Sequence, residues 1–262
     1  MNDTVPLVSV IMPAYNSERF IEDAVCSVIA QTYTNWELLV IDDGSVDSTC
    51  AIAERLAAED ERIQLIRNEI NMGVARTRNR GFDLCHGDYV ALLDSDDVWH
   101  PQKLERQLSR MRKENADVSF CSYAIINEEG IPVKGDYVVP ESISLDRLLR
   151  ENVIGCSTVM LSSCVAKKYK FDAEYYHEDY LMWLRLLADG YVAIGCKDVL
   201  AQWRLLKNSR SYNKKRSAAN RWKIYREYMN FPLLKSLWLF GNYVILSLRK
   251  YLKVNARVGC ES

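Results

Sequence analysis

The sequence predicts an α/β protein whose largely parallel sheet is flanked by helices and followed by a basic helical extension. Three observations predict it. Over the first hundred residues two hydrophobic periods alternate, one of strand type and one of helix type. The strand-like runs end in short polar or acidic segments, the usual edge of a parallel sheet. Charge is split along the chain, with 20 Lys+Arg against 33 Asp+Glu in residues 1–201 and 14 against 2 in residues 202–262.

The run 7–13 (LVSVIMP) is apolar on both faces and opens the sheet. Phe20, Ile21, Ala24, Val25, Val28 and Ile29 then recur at helical spacing, with Ser17 the expected N-cap. The run 36–41 (WELLVI) is the second strand, and Ile52, Ala53, Leu56 and Ala57 form a second helical face. Strands at 62–66 (RIQLI) and 88–93 (DYVALL) follow. Strand, helix, strand, helix, strand is the pattern of a sheet covered on both faces. Further on, 117–126 and 153–161 have strand character, and His177-Glu178-Asp179 opens the run YLMWLRLLA, stopped by Gly190. That run is apolar on every side, which predicts a buried helix with carboxylates at its N-terminus.

Composition excludes several classes. With 48% hydrophobic and 26% charged residues and no low-complexity tract, the chain is neither disordered nor fibrous. Eight cysteines are scattered without a C-x-x-C pair, so reduced thiols are expected rather than a zinc site or disulfide framework. The start, MNDTVPLVSVIMP, lacks the basic n-region of a secretory signal, which predicts a cytoplasmic location.

The informative residues follow the strands. Pro13-Ala14-Tyr15-Asn16 comes after the first, Asp42-Asp43-Gly44-Ser45 after the second and Asp94-Ser95-Asp96-Asp97 after the fourth. Carboxylates clustered on one rim repel unless a cation or a hydrogen-bonding ligand is present, so a divalent metal is expected there. With only three histidines in the chain, oxygen ligands suit Mg²⁺ or Mn²⁺ better than zinc.

VIMPAYN (10–16), QTYTNWELLVIDD (31–43), GSVD (44–47), NMGVARTRN (71–79) and GDYVALLDSDDVWHP (87–101) together resemble, in order and spacing, glycosyltransferase family 2. A weaker match at Glu178-Asp179 extends the resemblance to about residue 205. It implies a GT-A fold, Rossmann-like, in a catalytic domain spanning 1–205, with a nucleotide-sugar-binding half (1–115) and an acceptor-binding half (116–205). The region 206–262 follows as a basic aromatic extension. The implied activity is inverting transfer of one sugar from a UDP-sugar to a lipid-linked or oligosaccharide acceptor, in O-antigen, lipopolysaccharide or capsule synthesis, with no nucleic acid partner.

The resemblance also implies roles. Asp42 would accept a hydrogen bond from the uracil, Arg78 would approach the base or phosphates, and Pro13, Tyr15, Asn16, Asp43 and Ser95 would line the donor site. Asp94 would bind ribose or the metal, and Asp96 the metal. Asp179 would be the general base, with Glu178 supporting or replacing it. Two departures stand out. Gln202-Trp203-Arg204 is not the Q-x-x-R-W of processive synthases, which favours a single-sugar transferase. Arg204 is followed by Leu205 and Leu206 where many relatives carry a histidine, so a third protein ligand for the metal is missing from the pattern.

The rival enzyme reading is a haloacid dehalogenase-like phosphatase, since Asp94-Ser95-Asp96-Asp97-Val98 fits D-x-D-x-[TV]. In that class the motif opens the domain, and here another acidic pair precedes it. The non-enzymatic rival is an inactive nucleotide-sugar-binding scaffold. The extension invites two readings: 231–248 is apolar but broken by Pro232, Lys235, Gly241 and Asn242, and Arg249, Lys250 and Lys253 flank it. That combination predicts peripheral binding to an anionic membrane, against a helical hairpin packed on the catalytic domain.

Overall fold

The computed structural model describes residues 5–206 and 214–258, of which Lys134 and residues 247–258 by backbone alone. Elements β1 (Val8–Ala14), α1 (Ile21–Ile29), β2 (Trp36–Asp42), α2 (Thr49–Glu59), β3 (Ile63–Arg67), α3 (Val74–Leu84) and β4 (Tyr89–Leu92) alternate as the two periods predict. There follow β5 (Val98–Trp99), α4 (Lys103–Glu114), β6 (Val118–Ile126), β7 (Pro132–Tyr137), β8 (Ser142–Ile143), α5 (Leu145–Arg150), β9 (Met160–Ser162), α6 (Ser163–Lys168), α7 (Glu178–Ala188) and β10 (Ala193–Arg204). The extension contributes α8 (Lys214–Lys223), a π-helical turn at Ile224–Tyr228 and α9 (Leu233–Val258).

The main sheet runs β3-β2-β1-β4-β9-β6-β10-β5, with β7 added beside β6 and β8 beside β10. The first half is parallel throughout. The second half is mixed, because the short β9 lies antiparallel between β4 and β6 while β6 and β10 run parallel. Strand side chains alternate between two cores. Ile11, Leu39, Ile41, Val90 and Leu92 pack under α3, α5, α6 and α7. Val8, Val10, Met12, Leu38, Val40 and Leu93 pack under α1, α2 and α4. Continuous apolar runs are therefore what a sheet covered on both faces requires.

Local chemistry departs from expectation twice. Ser17 is not the N-cap of α1. Its carbonyl accepts from the amides of Phe20 and Ile21, both at 2.9 Å, in a turn, and the helix starts at Ile21. Only the end of 153–161 is strand. Cys156–Thr158 form a 3₁₀ turn, in which the Thr158 hydroxyl donates to the Gly155 carbonyl at 2.7 Å.

Two buried polar side chains fix how helices meet the sheet. The Gln31 amide donates to the carbonyls of Ser27 (3.0 Å) and His100 (2.9 Å), and its oxygen accepts from the Leu104 amide at 3.0 Å. It thereby joins the end of α1 to the start of α4. Gln107 reaches from α4 to the Thr158 carbonyl at 3.0 Å, behind the 3₁₀ turn.

The extension packs as a helical hairpin. The rings of Trp222 and Phe240 lie 5.6 Å apart, the Arg221 guanidinium sits between Tyr180 of α7 (3.9 Å) and Tyr243 of α9 (4.5 Å), and the Tyr225 hydroxyl donates to the Leu149 carbonyl. Among the described residues no helix is long and apolar enough to cross a membrane. The side chains of Arg249, Lys250 and Lys253 lie outside the described residues.

Candidate active site

The carboxyl ends of β1 and β4, the start of α3 and the start of α7 converge on one cleft of ≈ 870 Å³. Its walls include Pro13, Tyr15, Asn16, Asp43, Arg78, Asp94, Ser95, Asp96, Glu178 and Asp179, so most of the residues singled out in the sequence meet in one place.

Asn16 and Ser45 hold the first two loops together. Asn16 takes a left-handed φ of 47°, which Asn tolerates better than most residues, and its amide donates to the Ser45 hydroxyl at 2.9 Å. Its side-chain oxygen accepts from the Val46 amide at 3.0 Å. Gly44, at φ 76°, passes close to the 70–71 backbone, where a Cβ would meet the Asn71 nitrogen at 3.1 Å.

The acidic pair after β2 divides its roles. Asp42 does not line the cleft. Its Oδ2 accepts from the amides of Gly44 (3.2 Å) and Ser45 (3.1 Å), and its buried Oδ1 has no hydrogen-bond partner. Asp43 is the one that faces the cleft, with Oδ1 accepting from Asn68 (2.7 Å) and the Met72 amide (2.9 Å), and Oδ2 from the Gly73 amide (2.8 Å). Asp42, expected on the donor side, is thus turned under its own loop, and Asp43 is the member of the pair that lines the cleft.

Of the three alternating arginines of α3, Arg78 alone is buried, at 4% exposure. Its guanidinium donates to Glu178 Oε1 at 2.7 Å and Asp94 Oδ1 at 2.5 Å, and the two carboxylates raise its pKa well above the ordinary value against the opposing effect of burial. One side chain thus spans from the rim of β4 to the first residue of α7. Glu178 is committed to this ion pair, whereas Asp179 faces the cleft. Burial and the neighbouring Glu178 push the Asp179 carboxyl up to about 6.

Two residues shape the acidic loop: Ser157, which the sequence did not mark, and Arg204, which it marked only through the departures from the family pattern around it. Ser157, in the 3₁₀ turn, donates to Asp97 Oδ2 at 2.5 Å and accepts from the Asp94 amide at 3.0 Å. Arg204, 2% exposed, donates to the Asp96 carbonyl at 2.8 Å, to the Glu128 carbonyl at 2.8 Å and to Asp23 at 3.1 Å, while its own amide donates to Asp97 Oδ1 at 2.9 Å. Asp97 is therefore a structural anchor, and burial beside Asp96 raises its pKa well above the usual carboxylate range. Asp97 also lines the cleft, but with both of its oxygens engaged it leaves Asp94 and Asp96 as the loop's carboxylates for a ligand. Burial and Asp94 push Asp96 up to about 6, the mark of a negative site short of compensating charge.

A metal fits this donor set on specific terms. Among the described residues no three His, Cys, Asp or Glu side chains converge to hold an ion. Mg²⁺ and Mn²⁺ suit one or two carboxylates with the remaining positions taken by substrate phosphate and water, so a site built on Asp94 and Asp96 matches their chemistry.

A doubly covered sheet, parallel through its first half, with acidic loops at its carboxyl edge and a carboxylate-tipped buried helix facing them, defines a GT-A type glycosyltransferase. Residues 9–166 match glycosyl transferase family 2, and the chain belongs to that family. The chain is 38% identical to the putative teichuronic acid biosynthesis glycosyltransferase TuaG of Bacillus subtilis, over 96% of this chain and 100% of that one. It is also 38% identical to the UDP-Glc:alpha-D-GlcNAc-diphosphoundecaprenol beta-1,3-glucosyltransferase WfgD of Escherichia coli, over 94% and 95%. Among solved structures, S. aureus TarS 1–349 in complex with UDP-GlcNAc superposes with a TM-score of 0.72 at 20% identity, over 90% of this chain and 71% of that one. The mannosyltransferase PcManGT of Pyrobaculum calidifontis, in complex with GDP-Man and Mn²⁺, gives 0.69 at 16%, over 98% and 80%. At these identities the two structures speak for the fold.

Proposed function

We propose that the protein transfers one hexose, with inversion, from a UDP-sugar to a lipid-linked acceptor in the synthesis of a surface polysaccharide. The observation that carries this is the placement of Asp179 and of the Asp94–Asp96 pair in a single cleft. Direct displacement needs a base for the acceptor and charge compensation for the leaving diphosphate, and the cleft offers a candidate for each. Relatives support the finer reading: WfgD and WfaP of Escherichia coli are both named as UDP-Glc-dependent beta-1,3-glucosyltransferases acting on a diphosphoundecaprenol-linked sugar. UDP-glucose carries its sugar as the α anomer, so a β product means inversion.

In this mechanism Asp43 and the loop around Asn16 receive the nucleoside. Asp94 and Asp96 would hold Mn²⁺ or Mg²⁺, which would supply positive charge to the leaving nucleoside diphosphate. Asp179 takes the proton of the acceptor hydroxyl as its oxygen bonds to the anomeric carbon and the bond from that carbon to the diphosphate breaks. Glu178, held by Arg78, fixes the start of α7, so that the base is placed by a buried ion pair rather than by a mobile loop.

Thermal shift and donor hydrolysis across a panel of UDP-sugars with Mn²⁺ test the reading, with UDP-glucose first. The expected result is stabilisation by one UDP-hexose that disappears in excess EDTA. Asp96→Asn should raise the Mn²⁺ concentration for half-maximal stabilisation at least about tenfold. Release of phosphate from a monoester without sugar transfer would support the phosphatase alternative, and undiminished donor binding in EDTA would sink the metal assignment.

The extension supports a membrane-surface location. Leu234, Leu237, Trp238 and Ile245 are exposed along α9 at helical spacing, beside a region carrying 14 Lys+Arg against 2 Asp+Glu. An amphipathic helix with such surroundings suits an anionic bilayer. Full-length protein should partition onto vesicles containing anionic lipid and far less onto neutral ones. Leu234→Glu with Trp238→Glu should abolish the difference, and equal partitioning of variant and wild type would refute this role.

A further inference from the structure

We propose that Lys214, Lys215 and Arg216, at the cleft end of α8, bind the diphosphate of the acceptor while its sugar lies at Asp179. The proposal rests on the reading above that the acceptor is carried on a lipid diphosphate, and it assigns that group a place on the protein.

Position is the first argument. Helix α8 is fastened to the segment that leads into the catalytic helix. The Tyr176 amide donates to Asn220 Oδ1 at 2.8 Å, His177 Nε2 and the Ser217 hydroxyl are 2.9 Å apart, and the Arg216 guanidinium lies 4.2 Å from the Tyr176 ring. Tyr176 and His177 line the cleft, and Asp179 follows two residues later. Lys214, Lys215 and Arg216 are exposed and occupy the turn just before Ser217, about one helical turn of ~5.4 Å from the contact with His177.

Charge is the second argument. Among the described residues, the cleft wall carries Asp43, Asp94, Asp96, Asp97, Glu178 and Asp179, and its single Lys or Arg is Arg78, already committed to Asp94 and Glu178. A substrate bearing a diphosphate is repelled by such a wall unless cations meet it at the exit. The α8 cations lie on the turn beside Tyr176 and His177, which line the cleft. In the same hairpin, α9 presents the exposed apolar residues proposed to meet the bilayer, so a lipid tail and its phosphates would each find one helix of matching chemistry.

The experiment compares two acceptors with the same terminal sugar, one on a short polyprenyl diphosphate and one on an uncharged alkyl chain, in wild type and in Lys214→Ala/Lys215→Ala/Arg216→Ala. Wild type should prefer the diphosphate acceptor in kcat/KM, and the triple variant should lose at least about tenfold of that preference. The wild-type preference should also shrink with added salt. Lys214→Ala/Lys215→Ala, which spares the stacking on Tyr176, should fall between them. Calorimetric titration with the polyprenyl diphosphate acceptor in the absence of donor gives a readout independent of turnover, and the triple variant should bind it more weakly. A rise in the UDP-sugar KM with the acceptor preference intact would assign these cations to the donor instead. Equal losses on both acceptors would reduce them to supports of the cleft, and a wild type without any preference would also overturn the proposal. If no UDP-sugar is transferred to either acceptor, the functional reading fails by itself, and the titration still decides whether α8 binds the diphosphate.

Discussion

Asp179→Asn should lower sugar transfer at least about a hundredfold, within the 10² to 10⁴ typical of a lost general base, while leaving UDP-sugar affinity nearly unchanged. The substitution keeps the shape of the side chain and removes its capacity to take a proton. In the proposed mechanism the donor meets the loops after β1, β2 and β4, and Arg78, the ion-pair link from α7 to that rim, holds Glu178 and not Asp179. The decisive measurement is kcat beside donor KM. A variant with full kcat would move the base elsewhere.

The environment of Asp179 also sets a pH dependence. Its carboxyl is raised from 3.8 to about 6 by burial first and by Glu178 second. A base works ionised, so kcat should fall as pH drops through about 6, by about tenfold per unit below it. The stability effect has the opposite sign to that of a salt-bridged carboxylate. Because the folded pKa lies above the unfolded one, ionisation costs folding free energy, and stability attributable to this group declines as pH rises from about 3.8 to about 6. Asp179→Asn should therefore raise Tm at pH 7.5 while it destroys activity, a pairing expected of a site strained for function. A lower Tm would mean that the carboxylate is held by contacts favouring its charge.

Much of this site is legible in the sequence because parallel sheets put function at strand ends. Once the strands at 7–13, 36–41 and 88–93 are recognised, Asn16, Asp43, Asp94 and Asp96 are placed on one rim by topology alone. The long-range partnerships are not legible. Nothing local marks Ser157, and the motif comparison that marks Arg204 does not reveal its partners, since the two act through hydrogen bonds to residues 60 and more than a hundred positions away. The resemblance gave the uracil contact to Asp42 of the pair Asp42-Asp43, and only the turn geometry at Gly44 shows that this is the one folded under the loop. The strand expected at 153–161 is confined to its end, because a 3₁₀ turn takes up Cys156–Thr158, and the antiparallel insertion of β9 depends on pairing with β4 and β6 rather than on its own pattern.

The largest effect on stability should come from Arg78→Ala. The wild-type guanidinium is 5% exposed and serves Glu178, itself 4% exposed, together with Asp94 at 32%. Removing it leaves one carboxylate buried without its counter-charge and a second partly so, and breaking such a pair from one side costs about 3 to 5 kcal/mol. Arg78→Lys should recover little, because a single ammonium on a flexible stem cannot bridge two carboxylates that a planar fork spans. Glu178→Gln in the Arg78→Ala background should restore part of the loss by neutralising the stranded charge, so the two changes together should cost less than their sum. Urea unfolding of the single and double variants at pH 7.5 measures this coupling. Strict additivity would show that Arg78 and Glu178 do not act as a pair. The expected non-additivity would instead make the ion pair the link that joins the acidic rim at β4 to the helix proposed to carry the base, so that one buried arginine fixes the distance between the two.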